Sequence, residues 1–258
     1  MGNKKRPENM TDFESILEKN VEVKYEEKWH PISVSSFEEA ITQGDLIGIG
    51  KELKKNIAYS LQYLQYIQLQ LKEVHLHDII RRHLWKTYII TAMGIVEGIF
   101  YHLVTFHGLE KKTEWDIENK PVHTNVFQDG TEMKKYIITV QKKLSAPRVE
   151  QMDFEYLINK VQEKKLLSLS GKAFPYLKRV KRIRNKVHLQ IEHGTDITDY
   201  KSINYDDYIL TRYILYKILT DSKLCTNNSG VLIFIALSPD ERKTLSSFIT
   251  EEETNGQP

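Results

Sequence analysis

The stretch TYIITAMGIVEGIFYHLVTF, residues 87–106, decides the fold prediction for this chain. It is 20 residues long, and only Glu97 and His102 interrupt it as strongly polar residues. That length is enough to span a bilayer, but an ionisable group at the centre of a membrane helix costs about 2.5 kcal/mol or more. Lys and Arg flank both ends, which gives no orientation signal. We therefore interpret the stretch as the core of a buried helix, from about residue 78 to 107, that ends at Gly108.

A second long helix is predicted before it, from about residue 53. Apolar residues recur there every three or four positions, which is the spacing of an amphipathic helix. The apolar positions are Ile57, Leu61, Leu64, Ile67 and Leu71. Tyr59, Tyr63 and Tyr66 form a second stripe on the same helix. Such a stripe is more typical of core packing than of a platform on which bases stack.

The chain after residue 108 predicts a β insertion followed by further helices. A Asp129-Gly130 turn between β-prone runs indicates a small hairpin at about residues 122–142. Helices are expected at about residues 152–167 and 204–222. The apolar run VLIFIAL, residues 231–237, fits either a strand or a helix, because periodicity does not separate the two in so short a run.

Two helix starts are marked by capping residues. Ser238, Pro239 and Glu241 have the spacing of an N-cap, a first-turn proline and a capping-box glutamate. Ser36 and Glu39 repeat the capping-box spacing, which predicts a short helix that stops near residue 44.

Composition indicates a soluble globular protein. The chain has 258 residues, of which 40% are hydrophobic and 28% are charged, and that balance supports a substantial core. We predict one mainly α domain at residues 46–250, built as an antiparallel helical bundle. An N-terminal extension with short elements, partly disordered, is expected at 1–45, and a disordered tail at 251–258.

The sequence offers few signatures of cofactor chemistry. It contains one cysteine, Cys225, so neither an intramolecular disulfide nor a cysteine-based metal site is predicted, and the reducing cytoplasm is the simplest compartment. No phosphate-binding loop, dinucleotide fingerprint, zinc-protease motif or nucleophile elbow is present. We therefore predict no metal and no cofactor.

The strongest functional signal is the basic stretch KRVKRIRNKVHLQIEH, residues 178–193. Nine Lys and Arg residues and no Asp or Glu occur between residues 164 and 191, although the whole chain has a net charge of only +2. Phosphate is a common partner for such a cluster, because each contact releases condensed counterions. The alternative is a solvated basic face that pairs with carboxylates elsewhere in the fold.

Three residues in this stretch have complementary chemistry. Arg184, Asn185 and His188 share one helix face, because positions four apart lie about 40° apart around the axis. Histidine transfers protons near neutral pH, and the arginine fork matches phosphate oxygens. Together they suit RNA cleavage without a metal, in which a base deprotonates the 2′-hydroxyl, a cation stabilises the phosphorane and an acid protonates the leaving 5′-oxygen.

Glu97 is expected to support this site. Gly94 and Gly98 make a smooth patch on its helix where another helix can approach. A buried carboxylate without a partner is costly. We therefore expect Glu97 to pair with Arg184 or Arg182 of the basic helix, and the alternative is that Glu97 faces solvent at a kink.

The heptapeptide RIRNKVH, residues 182–188, resembles the signature of the HEPN superfamily (higher eukaryotes and prokaryotes nucleotide-binding). In that signature an Arg, commonly followed by a polar residue such as Asn, precedes a His by several residues. The signature separates the two residues by about four to six residues. Arg184 is followed by Asn185 but leaves only three residues before His188, whereas Arg182 leaves five but is followed by Ile183, so each arginine matches one part of the pattern. The long helices before the motif also resemble the HEPN helical bundle, and the resemblance covers about residues 50–222.

The resemblance implies a function and its partners. It implies a metal-independent endoribonuclease, a toxin of a toxin–antitoxin system or a phage-defence effector, that acts as a homodimer with a composite active site. His188 would be the acid or base, and Arg184 or Arg182 would stabilise the transition state. Asn185 would orient the reacting groups. The residues expected to hold the RNA backbone are Lys178, Arg179, Lys181 and Lys186. An antitoxin or regulatory protein is a further expected partner, and a non-catalytic nucleotide-, RNA- or protein-binding module is the alternative.

Overall fold

Helices build most of the structure. The computed structural model describes residues 29–117, 126–129, 132–135, 140–185, 203–224 and 230–245. The helices in these ranges are α1 (Val34–Ala40), α2 (Lys51–Glu73), α3 (Asp78–Phe106), α4 (Phe154–Glu163), α5 (Ala173–Asn185), α6 (Tyr205–Leu219) and α7 (Pro239–Thr244). The strands are β1 (Lys112–Ile117), β2 (Val126–Asp129), β3 (Glu132–Lys135) and β4 (Gln141–Val149). The prediction of a mainly α fold with a small β insertion is confirmed.

Helix α3 is the centre of the described fold. It packs against α2, α4, α5 and α6, and it buries residues on nearly every side, including Tyr88, Val96 and Leu103 at 0% exposure. It is the one helix in the described ranges that is long and apolar enough to cross a membrane, and half of its most apolar window is buried inside the protein. Such burial fits the core helix of a soluble protein. Gly108, with φ of +66°, follows its end as predicted.

Helix α2 precedes α3 by a four-residue connection and packs against it. Its first turn lies against Gly98, where an added Cβ would approach the Leu53 Cδ1 atom to 2.9 Å. Glycine therefore permits this close approach, as the sequence indicated. Gly94 differs, since a Cβ there would meet nothing within 4 Å, and the residue is exposed. Of the two glycines in the expected patch, only Gly98 therefore lies at a close approach between helices.

Helix α1 begins earlier than its predicted cap. Ser33, not Ser36, is the N-cap, and its side chain accepts a hydrogen bond from the Ser36 N–H. Phe37 and Ile41 are 0% and 1% exposed and belong to the same core cluster as α2 and α3. The core therefore extends N-terminal of residue 46. The remaining N-terminal elements, residues 1–28, and the tail, 251–258, lie outside the described ranges.

The β insertion is larger than the predicted hairpin. β2 pairs antiparallel with β3, and Asp129 pairs with Glu132 across the predicted Asp-Gly turn. An outer antiparallel pair, β1 with β4, extends the insertion to residues 112 and 149, so the predicted bounds of 122–142 are too narrow. β4 tolerates Pro147 because a strand in a two-stranded ribbon has a free edge.

Helices α4, α6 and α7 each begin directly after a capping residue. Asp153 caps α4, which is shorter than the predicted helix at 152–167. Asn204 and Asp207 form a capping box at the start of α6, which ends at Leu219 rather than near 222. The predicted capping box of Ser238 and Glu241 is confirmed in α7. The run whose type the sequence left open forms a 3₁₀ helix, Gly230–Ile235.

Candidate functional site

Helix α5 positions the basic residues of the candidate site. Leu177, Val180 and Ile183 recur every three residues and are at most 6% exposed, so this face fixes the helix in the core. The intervening cations are consequently directed to the rim of the bundle. Asn185 is the last helical residue, and its side chain lies outside the described part of the structure, as do Lys186 and His188.

Arg184 forms an ion pair with Glu97 of α3. Its Nη2 atom donates a hydrogen bond to Glu97 Oε2 over 2.6 Å, and the two side chains are 32% and 29% exposed. The guanidinium also lies over the Phe154 ring, 5.9 Å from its centroid. The expectation that Glu97 finds a cation of this helix is confirmed, with Arg184 rather than Arg182 as the partner.

This contact leaves part of the Arg184 guanidinium available. Arginine carries five N–H donors, and Nε and Nη1 form no hydrogen bond within the described ranges. One carboxylate and one aromatic ring therefore hold the group in a defined orientation at a half-exposed position. Such a fork suits a phosphate oxygen, because planar guanidinium donors bind two oxygens at once.

Lys178 and Lys181 are both paired with one carboxylate. Their Nζ atoms lie 3.3 and 2.7 Å from the oxygens of Glu155 on α4. The hydrogen bond from Lys181 lowers the pKa of the Glu155 carboxyl, desolvation opposes that effect, and Lys178 adds to the lowering. The two lysines therefore tie α5 to α4, and much of their charge is compensated.

Arg179 is paired in the same way on the other side of α5. Its Nη2 atom donates to Asp207 Oδ1 over 2.7 Å, and Asp207 is 2% exposed in the capping box of α6. Arg182, in contrast, is exposed and has no carboxylate partner among the described residues. The basic face is thus largely paired with carboxylates between residues 178 and 184, which was the alternative interpretation of its charge.

A second charged cluster was missed by the sequence analysis. Arg212 is 8% exposed in the middle of α6, where it hydrogen-bonds Glu241 and donates to the Ala236 carbonyl over 2.7 Å. Burial raises the pKa of the adjacent Tyr208 to about 12. These residues lie along a groove of about 910 Å³ between α2, α3, α6 and α7. The available signal was similar to that for Glu97, a charge inside an apolar run, here YILTRYILY at residues 208–216.

No further likeness assists the interpretation of either cluster. Comparison of the chain with protein-family models, curated proteins and solved structures found no significant match. Within the described ranges, no group of three or more His, Cys, Asp and Glu side chains is arranged to hold a metal ion. The resemblance to the HEPN signature stays a prediction.

Proposed function

We propose that the protein is a metal-independent RNA endonuclease of the HEPN type, with Arg184 and His188 at its active site. The ion pair between Arg184 and Glu97 is the observation that supports this proposal most. It holds one end of the guanidinium and leaves other N–H donors available. An arginine restrained in this way is suited to a phosphate whose charge increases during the reaction.

The proposed reaction needs only side chains. A base removes the proton of the 2′-hydroxyl, the 2′-oxygen attacks phosphorus, and the bond from phosphorus to the 5′-oxygen breaks as an acid protonates that oxygen. The products are a 2′,3′-cyclic phosphate and a free 5′-hydroxyl. His188 is the acid or the base, and Arg184 stabilises the phosphorane. Asn185 orients the reacting groups, and Glu97 positions Arg184 without touching RNA.

The biological setting belongs to the same proposal. A homodimer brings two copies of the motif to one composite cleft, so that one His188 serves as base and the other as acid. The enzyme acts in the cytoplasm as a toxin or as an effector of phage defence, and an antitoxin or regulatory protein restrains it.

A specific observation favours the second candidate, a non-catalytic RNA- or protein-binding module. Lys178, Arg179 and Lys181 are paired with Glu155 and Asp207, which leaves less free charge on α5 than its sequence suggests. A binding module whose helices pack together and carry out no catalysis would require no more free positive charge than this.

Incubation of purified protein with RNA in the presence of EDTA tests the proposal. The wild type is expected to produce fragments with cyclic phosphate ends, and RNA with 2′-deoxy sugars is expected to remain intact. His188→Ala should abolish cleavage, because no group is then left to transfer the proton. His193→Ala is the matched control, since it removes a histidine from the same stretch and should cleave normally.

The results separate the two candidates. Cleavage that is equal in the wild type and His188→Ala contradicts the nuclease mechanism. Binding of RNA without cleavage by the folded wild type, in EDTA and in Mg²⁺, replaces it with the binding module.

A further inference from the structure

The tyrosine stripe of α2 lies on the outside of the protein. Tyr59 and Tyr63 are 56% and 47% exposed, whereas the core face of the same helix buries Ile57, Leu61 and Leu64 to 3% or less. The sequence pattern favoured core packing for the tyrosines, and that interpretation is wrong for Tyr59 and Tyr63. A helix rarely exposes several large rings together without a use for them.

The rings of Tyr63, Tyr66 and Trp29 form a continuous aromatic row. Tyr63 is stacked with Tyr66 at a centroid distance of 6.4 Å and an angle of 26°, and Trp29 continues the row 6.1 Å from Tyr66. A hydrogen bond of 3.0 Å joins Gln70 Nε2 to the Tyr66 hydroxyl. The row is therefore ordered by its own contacts before any ligand arrives.

The segment that carries Trp29 is fixed to the same helix. Gln65 accepts a hydrogen bond from the Ile32 N–H over 2.9 Å, and Gln62 donates one to the Ile32 carbonyl over 3.0 Å. Two side-chain amides of α2 thus hold both polar groups of one backbone residue. They fix the path of the chain next to the aromatic row.

Three lysines near these rings have no carboxylate partner among the described residues. No Asp or Glu occurs on α2 between Glu52 and Glu73, and Lys51, Lys54 and Lys55 stand at its N-terminal end. None of the three has a carboxylate partner in the described part of the chain. The lysines of α5, by contrast, are paired with Glu155. Among the described helices, α2 therefore has three lysines without a carboxylate partner, whereas on α5 only Arg182 lacks one.

We propose that this face of α2, formed by Lys55, Tyr59, Tyr63, Tyr66 and Trp29, binds single-stranded RNA. Bases stack on the exposed rings, and the backbone phosphates contact the lysines, which is the general chemistry of single-strand binding. The inference rests on the proposed function, in which RNA is the substrate. The N-terminal turn of α2 packs against Gly98, the residue next to Glu97.

The composition of the face favours RNA over a protein partner. The residues between the tyrosines that are not buried in the core, Ser60, Gln62 and Gln65, are polar rather than aliphatic. Lysine is depleted at the core of protein–protein interfaces, whereas Lys55 lies on the same side of α2 as the tyrosines. Stacked aromatic rings next to unpaired cations match the two components of a nucleotide, its base and its phosphate.

Fluorescence anisotropy with labelled oligothymidine of about 16 nucleotides tests the surface separately from the nuclease. DNA has no 2′-hydroxyl, so the probe binds without being cut. The double substitution of Tyr59→Ala and Tyr63→Ala is expected to weaken binding roughly tenfold for each ring removed. The corresponding change of both tyrosines to Phe retains the rings and should bind almost as the wild type does.

Two further variants act as controls for the chemistry. Phe106→Ala removes a ring that is 52% exposed at the end of α3, outside the proposed face, and should leave the affinity unchanged. Lys55→Ala should reduce the slope of log affinity against log salt concentration by about one, because one phosphate contact is lost. Circular dichroism verifies that every variant is folded.

The outcomes separate this inference from the proposed nuclease. Absence of binding by the wild type, or equal binding by the Ala double variant, overturns the surface. A change from dimer to monomer in the Ala double variant, with its affinity intact, also overturns it and assigns the face to protein contact. Binding that depends on the tyrosines, in a protein that cuts no RNA, supports the surface and removes the nuclease.

Discussion

Two ion pairs of this protein, Arg212 with Glu241 and Arg184 with Glu97, differ in how completely their charges are satisfied. Arg212 is 8% exposed and is bonded to Glu241, to the Ala236 carbonyl and, through its charge, to the Tyr208 ring 5.5 Å away. Arg184 is 32% exposed and, among the described residues, forms one hydrogen bond, to Glu97. Arg212 therefore has a structural role. Arg184 is also held in place, but its Nε and Nη1 atoms have no hydrogen-bond partner in the described ranges. The number of satisfied donors therefore distinguishes a structural arginine from a candidate functional one.

Replacement of Arg212 should give the largest loss of stability. Arg212→Met leaves the Glu241 carboxylate and the Ala236 carbonyl without their partner, and breaking a buried pair in this way costs about 3 kcal/mol or more. Urea denaturation followed by circular dichroism measures the loss. Arg242→Met, an exposed change on α7 next to Glu241, should alter the free energy of unfolding by less than about 0.5 kcal/mol. Equal effects of the two substitutions would assign no structural role to the Arg212 cluster.

The Arg212 pair should also appear in the pH dependence of stability. Desolvation raises the pKa of Glu241, but the Ser238 backbone N–H and the Arg212 charge together lower it below the ordinary value of 4.5. The carboxylate therefore stabilises the fold above that value, and the contribution is lost as the pH falls from 4.5 towards the folded-state pKa. Urea unfolding at a series of pH values should show a shallower fall for Glu241→Gln. Glu39→Gln, at an exposed position, should keep the wild-type slope, and a Glu241→Gln slope as steep as the wild type contradicts the assignment.

The Arg184 pair should be weaker. Because both side chains are about a third exposed, we expect a coupling energy of about 1 kcal/mol between Glu97 and Arg184. A double-mutant cycle of Glu97→Gln and Arg184→Met, measured by urea unfolding, gives this value. A coupling as large as the loss from Arg212→Met would make Arg184 a structural charge and erase the contrast between the two pairs.

The two glycines of α3 should give the smallest effects, with opposite signs. Gly94→Ala adds a Cβ that meets nothing within 4 Å, so it should stabilise the helix by about 0.5 kcal/mol. Gly98→Ala brings a Cβ to 2.9 Å from Leu53 Cδ1, and that contact should offset the gain or reverse it. Thermal unfolding of the two variants compares them directly, and a greater gain at Gly98 would contradict the close approach of α2.

Much of the helical framework was predictable because its signals are local. The bounds of α3 follow from an apolar run, a following glycine and no internal proline, and the start of α7 follows from Ser238, Pro239 and Glu241. The outer strands were missed because β1 and β4 form an exposed ribbon without a buried apolar face, so their sequences lack a regular apolar alternation. The cap at Ser33 was missed because Gln62 and Gln65 of a distant helix fix the chain just before it.

In the candidate site, the sequence predicted only the contact of a residue that lacks a possible partner nearby in the chain. Glu97 lies in an apolar helix, so its need for a cation was evident from the sequence, and Arg184 supplies it. The partners of Lys181 and Arg179 lie 26 and 28 residues away, and the pattern of either stretch contains no sign of them. The dense run of cations therefore led to an overestimate of the unpaired positive charge on α5. The exposure of the lysines and tyrosines of α2 was underestimated.

The rate of RNA cleavage by Arg184→Lys tests the central claim most directly. Lysine retains the positive charge opposite Glu97 but lacks the planar fork that binds a phosphate. If Arg184 stabilises the transition state, single-turnover cleavage in EDTA should slow by about a hundredfold, while the free energy of unfolding changes by less than about 1 kcal/mol. A variant that is equally stable and cleaves RNA at the wild-type rate would show that Arg184 only pairs with Glu97.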